Sequence, residues 1–435
     1  MLTDFISSVQ ANEAVLALSI FVLSFFFITT EKFPTAITAM MGAFLLLIFR
    51  ILSQEEAVNY IDFDTMGLLC GMMITVAVMR KSGIFELIAV KGVKFTKGDP
   101  WRILVVLSIV TGFLSAFLDN VTTVLIIVPL TFAIANTIKI NPTPILIGEI
   151  IFSNLGGTAT LIGDPPNIMI GGATHLGFMD FIYINTPVVV VVSVFTLLYL
   201  RLVYYKKLKS VVVDTSKIMA FDEAKTIRDR PFFMKSIFVF SIIILAFVTH
   251  HFHHVSLATI ALGGGFILLL VNHQDPEEIL KEVEWPTLFF FLGLFVLVGG
   301  LEKTGIIDII ADKMLGLTQG NMALTTQLIL WLSSLSTTII NSIPFTATMI
   351  SVIESFGQQL QTNIDPFWWA LSLGACFGGN GTLIGAAANI LVAGLTQKTP
   401  YPLRFKEYMK VGIPVIFIST ICASLYLYIR FFAFN

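Results

Sequence analysis

Charged residues are scarce in this sequence. Only 12% of its 435 residues are Asp, Glu, Lys or Arg, whereas 56% are hydrophobic. Several apolar runs approach or exceed the roughly 20 residues that an α-helix needs to cross about 30 Å of hydrocarbon. A soluble globular domain does not have this composition. We therefore predict an all-α polytopic protein of the cell (inner) membrane.

Cysteine is also scarce, and motifs of ATP-driven and secreted proteins are missing. Cys70, Cys376 and Cys422 all lie in apolar segments, which is typical of small buried side chains rather than disulfides. The chain has no GxxxxGK[ST] loop, and its acidic N-terminus lacks the basic region of a cleavable signal peptide. No nucleophile–base pair or metal-ligand cluster stands out, so we predict no enzyme, no cofactor and no nucleic-acid partner.

One apolar stretch, Ser153 to Gly172, cannot be an uninterrupted membrane helix. It reads SNLGGTATLIGDPPNIMIGG, in which glycines free the backbone and Pro165 and Pro166 remove two amide donors. Irregular backbone at bilayer depth is tolerated only where it is buried in protein or lines a wet cavity. We therefore predict a broken helix that forms part of a binding site.

The stretch has a second copy, FGGNGTLIGAAANILVAG, at 377–394. A shift of 222 positions aligns the two copies, carries Asp119 onto Asn341, and aligns KSGIFELIAVK from Lys81 with KTGIIDIIADK from Lys303. A single register over most of the chain indicates two homologous halves. We place them at 1–210 and 231–435, joined by a polar linker at 211–230.

Each half is predicted to contain about five transmembrane helices, a re-entrant helical hairpin and a broken helix. The hairpin tips are Asp119-Asn120 and Asn341-Ser342, and amphipathic helices at 82–97 and 304–317 are expected to lie at the membrane interface. If the hairpins are re-entrant each half has five crossings, and if their arms cross it has seven. Both counts are odd, so the second half is expected to be inverted relative to the first.

The distribution of basic residues predicts the orientation. If the linker is cytoplasmic, only four of the 26 Lys and Arg residues fall outside: Arg50, Lys303, Lys313 and Arg430. We therefore predict a cytoplasmic linker and extracytoplasmic termini.

Two carboxylates lie in the broken, apolar-flanked backbone of the first half. Asp119 and Asp164 would each cost several kcal/mol at this depth unless paired, hydrated, coordinated or protonated. Between Trp101 and Arg201 the only Lys or Arg residues are Arg102 and Lys139, both at predicted segment ends. A protonated His175, a proton, a cation such as Na⁺, or a basic residue from elsewhere in the fold remains as the partner.

Helix capping is the alternative role for Asp164, because Pro165 follows it at a favoured first helical position. The second copy has Ala386 there, so the fold itself does not require an acid. Asp119 and Asp164 are the candidate Na⁺ ligands, and neutral groups complete the predicted substrate and ion site, since hard cations prefer oxygen ligands. These neutral residues are Asn120, Thr122, Thr123, Asn154, Gly156, Gly157, Thr158, Thr160, Asn167, Asn341, Ser342, Thr346, Gly379, Asn380, Thr382 and Asn389.

Two other polar features have open interpretations. Glu149 is an acid inside an apolar run and is either functional or a buried, protonated or hydrogen-bonded group. The run HHFHH at 250–254 is expected to be a solvated outer loop, with metal binding or pH sensing as the alternative.

Three functions are compatible with these residues. Half-helix N-termini attract anions while carboxylates attract cations, so the leading hypothesis is H⁺- or Na⁺-coupled transport of a small anion. A Na⁺/H⁺ antiporter and a passive anion channel are the alternatives.

The motifs DNVTTVLIIVP from Asp119 and SNLGGTATLIGDPPNIMIG from Ser153 resemble those of the ion transporter superfamily. The most similar group holds the P protein, ArsB-type permeases and NhaD-type antiporters, whereas divalent-anion/sodium symporters are more distant. The resemblance implies a secondary transporter, often a homodimer, that works as an elevator. It also implies scaffold parts at about 1–80 and 231–300, and moving transport parts at 101–205 and 323–432.

The sequence departs from the symporters at two points. Asp119-Asn120-Val121 stands where they usually have Ser-Asn-Thr, and Ala387-Ala388-Asn389 stands where they usually have Pro-Pro-Asn. Both departures argue against sodium/dicarboxylate symport, and the added acid favours coupling to a proton or a single cation.

Overall fold

In a computed structural model of the chain, residues 2–30, 32–209, 226–227, 229–360 and 362–433 are described. These residues form twenty α-helices and no β-strand. Eight of the described helices are long and apolar enough to cross a membrane. Large apolar side chains such as Leu202, Phe238 and Leu270 point outward on these and on shorter helices. The predicted all-α, multi-pass architecture is confirmed, and most of the predicted linker at 211–230 lies outside the described residues.

The first ten helices belong to the first half. They are α1 (Leu2–Thr30), α2 (Thr35–Ile48), α3 (Gln54–Asn59), α4 (Phe63–Lys81), α5 (Ile84–Phe95), α6 (Pro100–Ser115), α7 (Asn120–Ile138), α8 (Thr143–Thr158), α9 (Pro165–Ala173) and α10 (Phe178–Lys209).

The other ten helices belong to the second half. They are α11 (Arg230–His253), α12 (Leu257–Val271), α13 (Pro276–Leu280), α14 (Trp285–Lys303), α15 (Ile306–Thr318), α16 (Met322–Ile339), α17 (Ser342–Leu360), α18 (Asp365–Gly378), α19 (Ala387–Thr396) and α20 (Phe405–Phe431).

The helix boundaries repeat with the sequence. The helices α2 to α9 begin 222 positions before α12 to α19, as Phe63 and Trp285 do for α4 and α14. Equivalent contacts repeat as well: α4 packs on α12, and α14 packs on α2. A Cβ added at Gly71 would collide with the Ala261 backbone, and one added at Gly293 would collide with the Ala39 backbone. The two halves are therefore built on one plan.

Two repeat-equivalent ion pairs join the halves. Lys81 Nζ lies 3.2 Å from Glu278 Oε2, and Lys303 Nζ lies 2.6 Å from Glu56 Oε1. The hydrogen bond from Lys303 and those from Ser53 lower the pKa of Glu56 to about 2. Each pair joins the end of one helix to the segment before the other, so α4 and α14 run antiparallel. Their orientation relative to the membrane stays a prediction.

The prediction of a loop for HHFHH is wrong. His250, His251 and His253 lie in the last turn of α11, and His254 is its C-cap with a left-handed backbone. The apolar helix continues to this point because no proline or glycine interrupts it before Val255. Basic side chains also suit a helix C-terminus.

Candidate functional site

Both predicted helix breaks are present. In the first half, α8 ends at Thr158 and α9 begins at Pro165, and in the second, α18 ends at Gly378 and α19 begins at Ala387. Every residue of α8 is buried, as are all but the first of α18. The first break, at 159–164, is buried throughout, whereas Ile384 in the second break is exposed.

Asn154 connects the two breaks. Its Nδ2 donates to Asn380 Oδ1 at 2.9 Å and to Asn389 Oδ1 at 3.1 Å. Its Oδ1 accepts from Asn120 Nδ2 at 3.2 Å, at the tip of the first hairpin. Four asparagines that the sequence predicted as site residues thus form one buried network.

Two repeat-equivalent asparagines hold the break loops closed. Asn167 Nδ2 donates to Thr160 O at 2.8 Å, and Asn389 Nδ2 donates to Thr382 O at 2.9 Å. The hydroxyls of Thr160 and Thr382 in turn donate to backbone oxygens of the hairpin ends, Ala116 and Thr338. In this conformation the four side chains donate to backbone oxygens around the breaks. Their hydrogen-bond donors are therefore already occupied.

Asp164 occupies the N-cap position of α9 without making a side-chain cap. Its side chain is buried, and Asn120 Nδ2 lies 3.4 Å from its Oδ1. The Cys376 thiol is also close. Among the described residues, no Lys, Arg or His forms an ion pair with it. Because the capping alternative is not realised, this acid is available for a ligand.

Asp119 is bound differently. Its carboxylate accepts from the Thr122 amide at 2.8 Å and caps α7, while Asn341 Oδ1 accepts from the Ile343 amide at 3.1 Å in the equivalent hairpin. Asp119 is only half-buried, and it lies within electrostatic range of Glu284. It therefore has a capping role that Asp164 lacks.

Thr158 and Gly379 also join the network, since Thr158 Oγ1 donates to Asn154 O at 2.7 Å and Gly379 O accepts from Asn389 Nδ2 at 2.7 Å. The predicted residues Thr123, Ser342 and Thr346 make no hydrogen bond to the network among the described residues. Thr123 bonds its own turn, Thr346 Oγ1 is buried without a partner, and Ser342 begins α17. The hairpin arms cross over between halves: α7 packs against α19, and α17 packs against α9. Each hairpin therefore lies beside the broken helix of the other half.

Sequence reasoning missed three residues of the buried network. Asn185 Nδ2 donates to Ser372 Oγ at 2.8 Å, and Ser372 donates to Asn167 Oδ1 at 2.6 Å. Cys376 Sγ, at the position equivalent to Asn154, lies 3.6 Å from the same oxygen. The signal that could have found Asn185 is a lone amide in an apolar run, two residues before Pro187.

We expect Ser372→Ala to lower the thermal stability of the detergent-solubilised protein. The change leaves the buried Asn167 carbonyl and Asn185 amide each short of one partner, at a cost of about 1–3 kcal/mol. Ser419→Ala is the matched control, since Ser419 is also buried but bonds only the Val415 carbonyl of its own helix. Equal melting temperatures for the two variants would contradict this role for Ser372.

Two cavities lie at repeat-equivalent positions in the two halves. One, of about 360 Å³, is lined by Tyr60, Asp62 and Glu302 together with parts of α9 and α17. The other, of about 30 Å³, is lined by Arg80, Thr122, Glu282 and Glu284. The Arg80 guanidinium lies 2.5 Å from Glu282, an ion pair that Glu302 and Tyr60 cannot form at the equivalent positions. The cavity that meets α9 is thus wide and acidic, whereas the one that meets the first turn of α7 is narrow and contains an ion pair.

Comparison with known proteins gives a consistent assignment. The family model for citrate transporters matches residues 25–374. An uncharacterized transporter of Mycobacterium tuberculosis is 38% identical over 428 residues, which cover 96% of this chain and 99% of that protein. A 46 kDa membrane protein of Mycobacterium leprae is 35% identical over 424 residues, covering 96% and 99%.

The P protein of Homo sapiens is 32% identical over 455 residues, which cover 86% of this chain but 54% of the P protein. The chain thus spans about half the length of that relative. The crystal structure of the YdaH transporter of Alcanivorax borkumensis aligns with a TM-score of 0.65, covering 96% of this chain and 98% of YdaH at 14% identity. At that identity the likeness shows the shared fold alone. The chain is therefore a multi-pass membrane protein that belongs to the citrate transporter family within the ion transporter superfamily.

Proposed function

We propose that the chain is a secondary active transporter that couples movement of H⁺ or Na⁺ to movement of a small anion. The observation that carries this proposal is Asp164: a buried carboxylate, at a helix break, with amide and thiol neighbours and no cationic partner among the described residues. Such a group needs a proton or a bound cation to offset the cost of its burial.

Oxygen-bearing groups around Asp164 support a monovalent cation as well as a proton. Asn120 Nδ2 is shared between Asp164 Oδ1 and Asn154 Oδ1, so Asn154 holds an amide oxygen near the carboxylate, and rotation of the Asn120 side-chain amide would bring a second oxygen to a cation. Hard cations prefer oxygen ligands of this type. The coupling ion is therefore proposed to bind between the first hairpin tip and the first break.

Features of the second half support the binding of an anion there. It has Ala386 where the first half has Asp164, and its α19 N-terminus carries no acidic side chain in the first turn. Asn380 Nδ2 is buried without a hydrogen-bond partner and can donate to an anionic oxygen. Given the family description, we propose a small carboxylate or inorganic oxyanion as the solute.

A Na⁺/H⁺ antiporter is the second candidate, and the wide cavity favours it. Asp62 and Glu302 line that cavity, and Glu354 of α17 adds a third carboxylate. An acidic approach concentrates cations and repels anions. In that case the cation is itself the transported solute.

The mechanism is proposed to be an elevator. The hairpins and broken helices would move as transport parts against scaffold parts formed by the first helices of each half, in a homodimer in the inner membrane. The unequal volumes of the two equivalent cavities support a state that is open on one side only. The narrow cavity also argues against a passive channel.

Transport in proteoliposomes tests the proposal. Citrate, phosphate and chloride are offered with an imposed pH or Na⁺ gradient, and ion-driven accumulation of at least one anion is expected, at about tenfold per pH unit for one coupled proton. Na⁺-driven proton movement with no anion present would instead favour the antiporter. Flux that ignores both gradients would contradict coupling.

A further inference from the structure

A second buried carboxyl lies inside the first half, away from the helix breaks. Glu149 is fully buried in α8, and its Oε1 accepts a hydrogen bond from the Thr131 hydroxyl of α7. Its Oε2 has no hydrogen-bond partner among the described residues. Full hydrogen bonding is the rule for buried polar atoms, so this oxygen needs an explanation.

A further buried hydroxyl lies against α8 beside the residue that precedes Glu149. The Ser108 side chain of α6 is fully buried and its hydroxyl has no partner among the described residues. A Cβ added at Gly148, the neighbour of Glu149, would collide with this hydroxyl. Glu149 and Thr131 therefore form a buried polar pair between α7 and α8, and Ser108 packs on α8 next to it.

The second half shows that the fold does not require these polar groups. The positions equivalent to Glu149, Thr131 and Ser108, 222 residues later, are Leu371, Ile353 and Leu330, and all three are fully buried. Where the first half has the Glu149–Thr131 hydrogen bond, the second half has two apolar side chains. Replacing a satisfied apolar cluster by a carboxyl costs stability, so a structural role does not account for Glu149.

Within the part of the chain that the structure describes, no charged side chain contacts Glu149. The helices α7 and α19 contain no titratable residue, and Arg102, the only one on α6, has an exposed side chain. The titratable residues of α10, α18 and α20, including the buried Cys376 and Tyr408, make no hydrogen bond or electrostatic contact with it. A proton is the one cation that such a site can hold without further ligands.

We propose that Glu149 binds and releases a proton during the transport cycle, with Thr131 donating to the carboxylate when the proton leaves. The Thr131 hydrogen bond stabilises the charged form, while burial and the free Oε2 favour the protonated one. Glu149 lies on the same helix as Asn154, so displacement of α8 changes its surroundings together with the asparagine network. The proposal rests on ion coupling and adds a proton site within α8 to the ion site proposed at Asp164.

Infrared difference spectroscopy of the purified protein tests whether Glu149 titrates. Wild type is expected to show a buried protonated-carboxyl band from Glu149 that disappears as pH rises, and Glu149→Gln is expected to lack it. Asp164→Asn should keep that band. A spectrum of Glu149→Gln identical to wild type overturns the proposal.

Transport in the same proteoliposomes tests whether the proton is used. Glu149→Gln is expected to lose the roughly tenfold accumulation per pH unit expected of one coupled proton, while keeping exchange of the solute under equal pH. The double variant Glu149→Leu, Thr131→Ile places the side chains of the second half at the contacting pair, so it should fold and lose pH-driven accumulation as Glu149→Gln does. A band that disappears in Glu149→Gln with no change in pH-driven accumulation also overturns the proposal. If wild type shows no gradient dependence, the proposed function fails, but the spectra still report on Glu149.

Discussion

Asp164→Asn is expected to reduce ion-coupled transport on the order of 100-fold, because a buried contact to a charged group is worth roughly 2–3 kcal/mol. The substitution keeps the size and hydrogen-bonding shape of the side chain but removes its charge. Since Asp164 makes no side-chain cap, α9 loses no stabilising bond. The melting temperature of the variant should therefore equal or exceed that of wild type, and flux should fall without unfolding.

Asp99→Asn is the matched control for this prediction. Asp99, like Asp164, is the N-cap of a helix and precedes a proline, but its side chain is exposed and accepts from the Arg102 amide. Asparagine caps helices as well as aspartate does, so this change should leave transport unaltered. Equal flux from Asp164→Asn and Asp99→Asn would remove Asp164 from the site.

The substitution Asp119→Asn distinguishes the role of Asp119 from that of Asp164. The second half already has Asn341 at this position, capping α17 with its side-chain oxygen, so the hairpin tolerates the amide. Asp119 is half-buried and lies within electrostatic range of Glu284. We therefore assign Asp119 to the path by which a cation approaches the site, and Asp164 to the enclosed site itself.

Much of the site could be predicted because its signals are local. Glycine and proline inside an apolar run mark a break wherever the chain folds, and the 222-residue register pairs one break with the other. The positions of Asn120, Asn154, Asn380 and Asn389 follow from these two facts. Their meeting in one hydrogen-bonded network agrees with the prediction of a site that contains residues of both halves.

The other site residues could not be predicted, because their roles depend on hydrogen-bond partners that are distant in sequence. Ser372 is one serine among many until Asn167 and Asn185 are seen to bond it. The sequence also could not determine the roles of Thr160 and Asn167. Both side chains could have bound a ligand, but in the structure they donate to backbone oxygens and close the loop of the first break. Sequence spacing reveals which residues sit at a break, but not which of their polar atoms are already occupied.

Gly156→Ala is expected to prevent normal assembly of the first half. Gly156 lies where α8 crosses α6, and an added Cβ would be 2.6 Å from the Cα of Gly112 and closer still to its carbonyl oxygen. Backbone cannot move aside as a flexible side chain can, so the helices must separate. We expect a loss of about 3 kcal/mol, at the upper end of typical overpacking costs.

The second half repeats this crossing at Gly378, where an added Cβ would collide with the Ser334 carbonyl and the Thr337 hydroxyl of α16. Gly378→Ala should therefore have a similar effect. Gly394→Ala is the control, because that glycine lies in α19 with no atom within 4 Å of the added carbon. Alanine there should stabilise the helix by up to about 1 kcal/mol. Size-exclusion profiles and melting temperatures in detergent measure the difference, and Gly156→Ala protein as monodisperse and stable as Gly394→Ala would show that α6 and α8 do not cross at this contact.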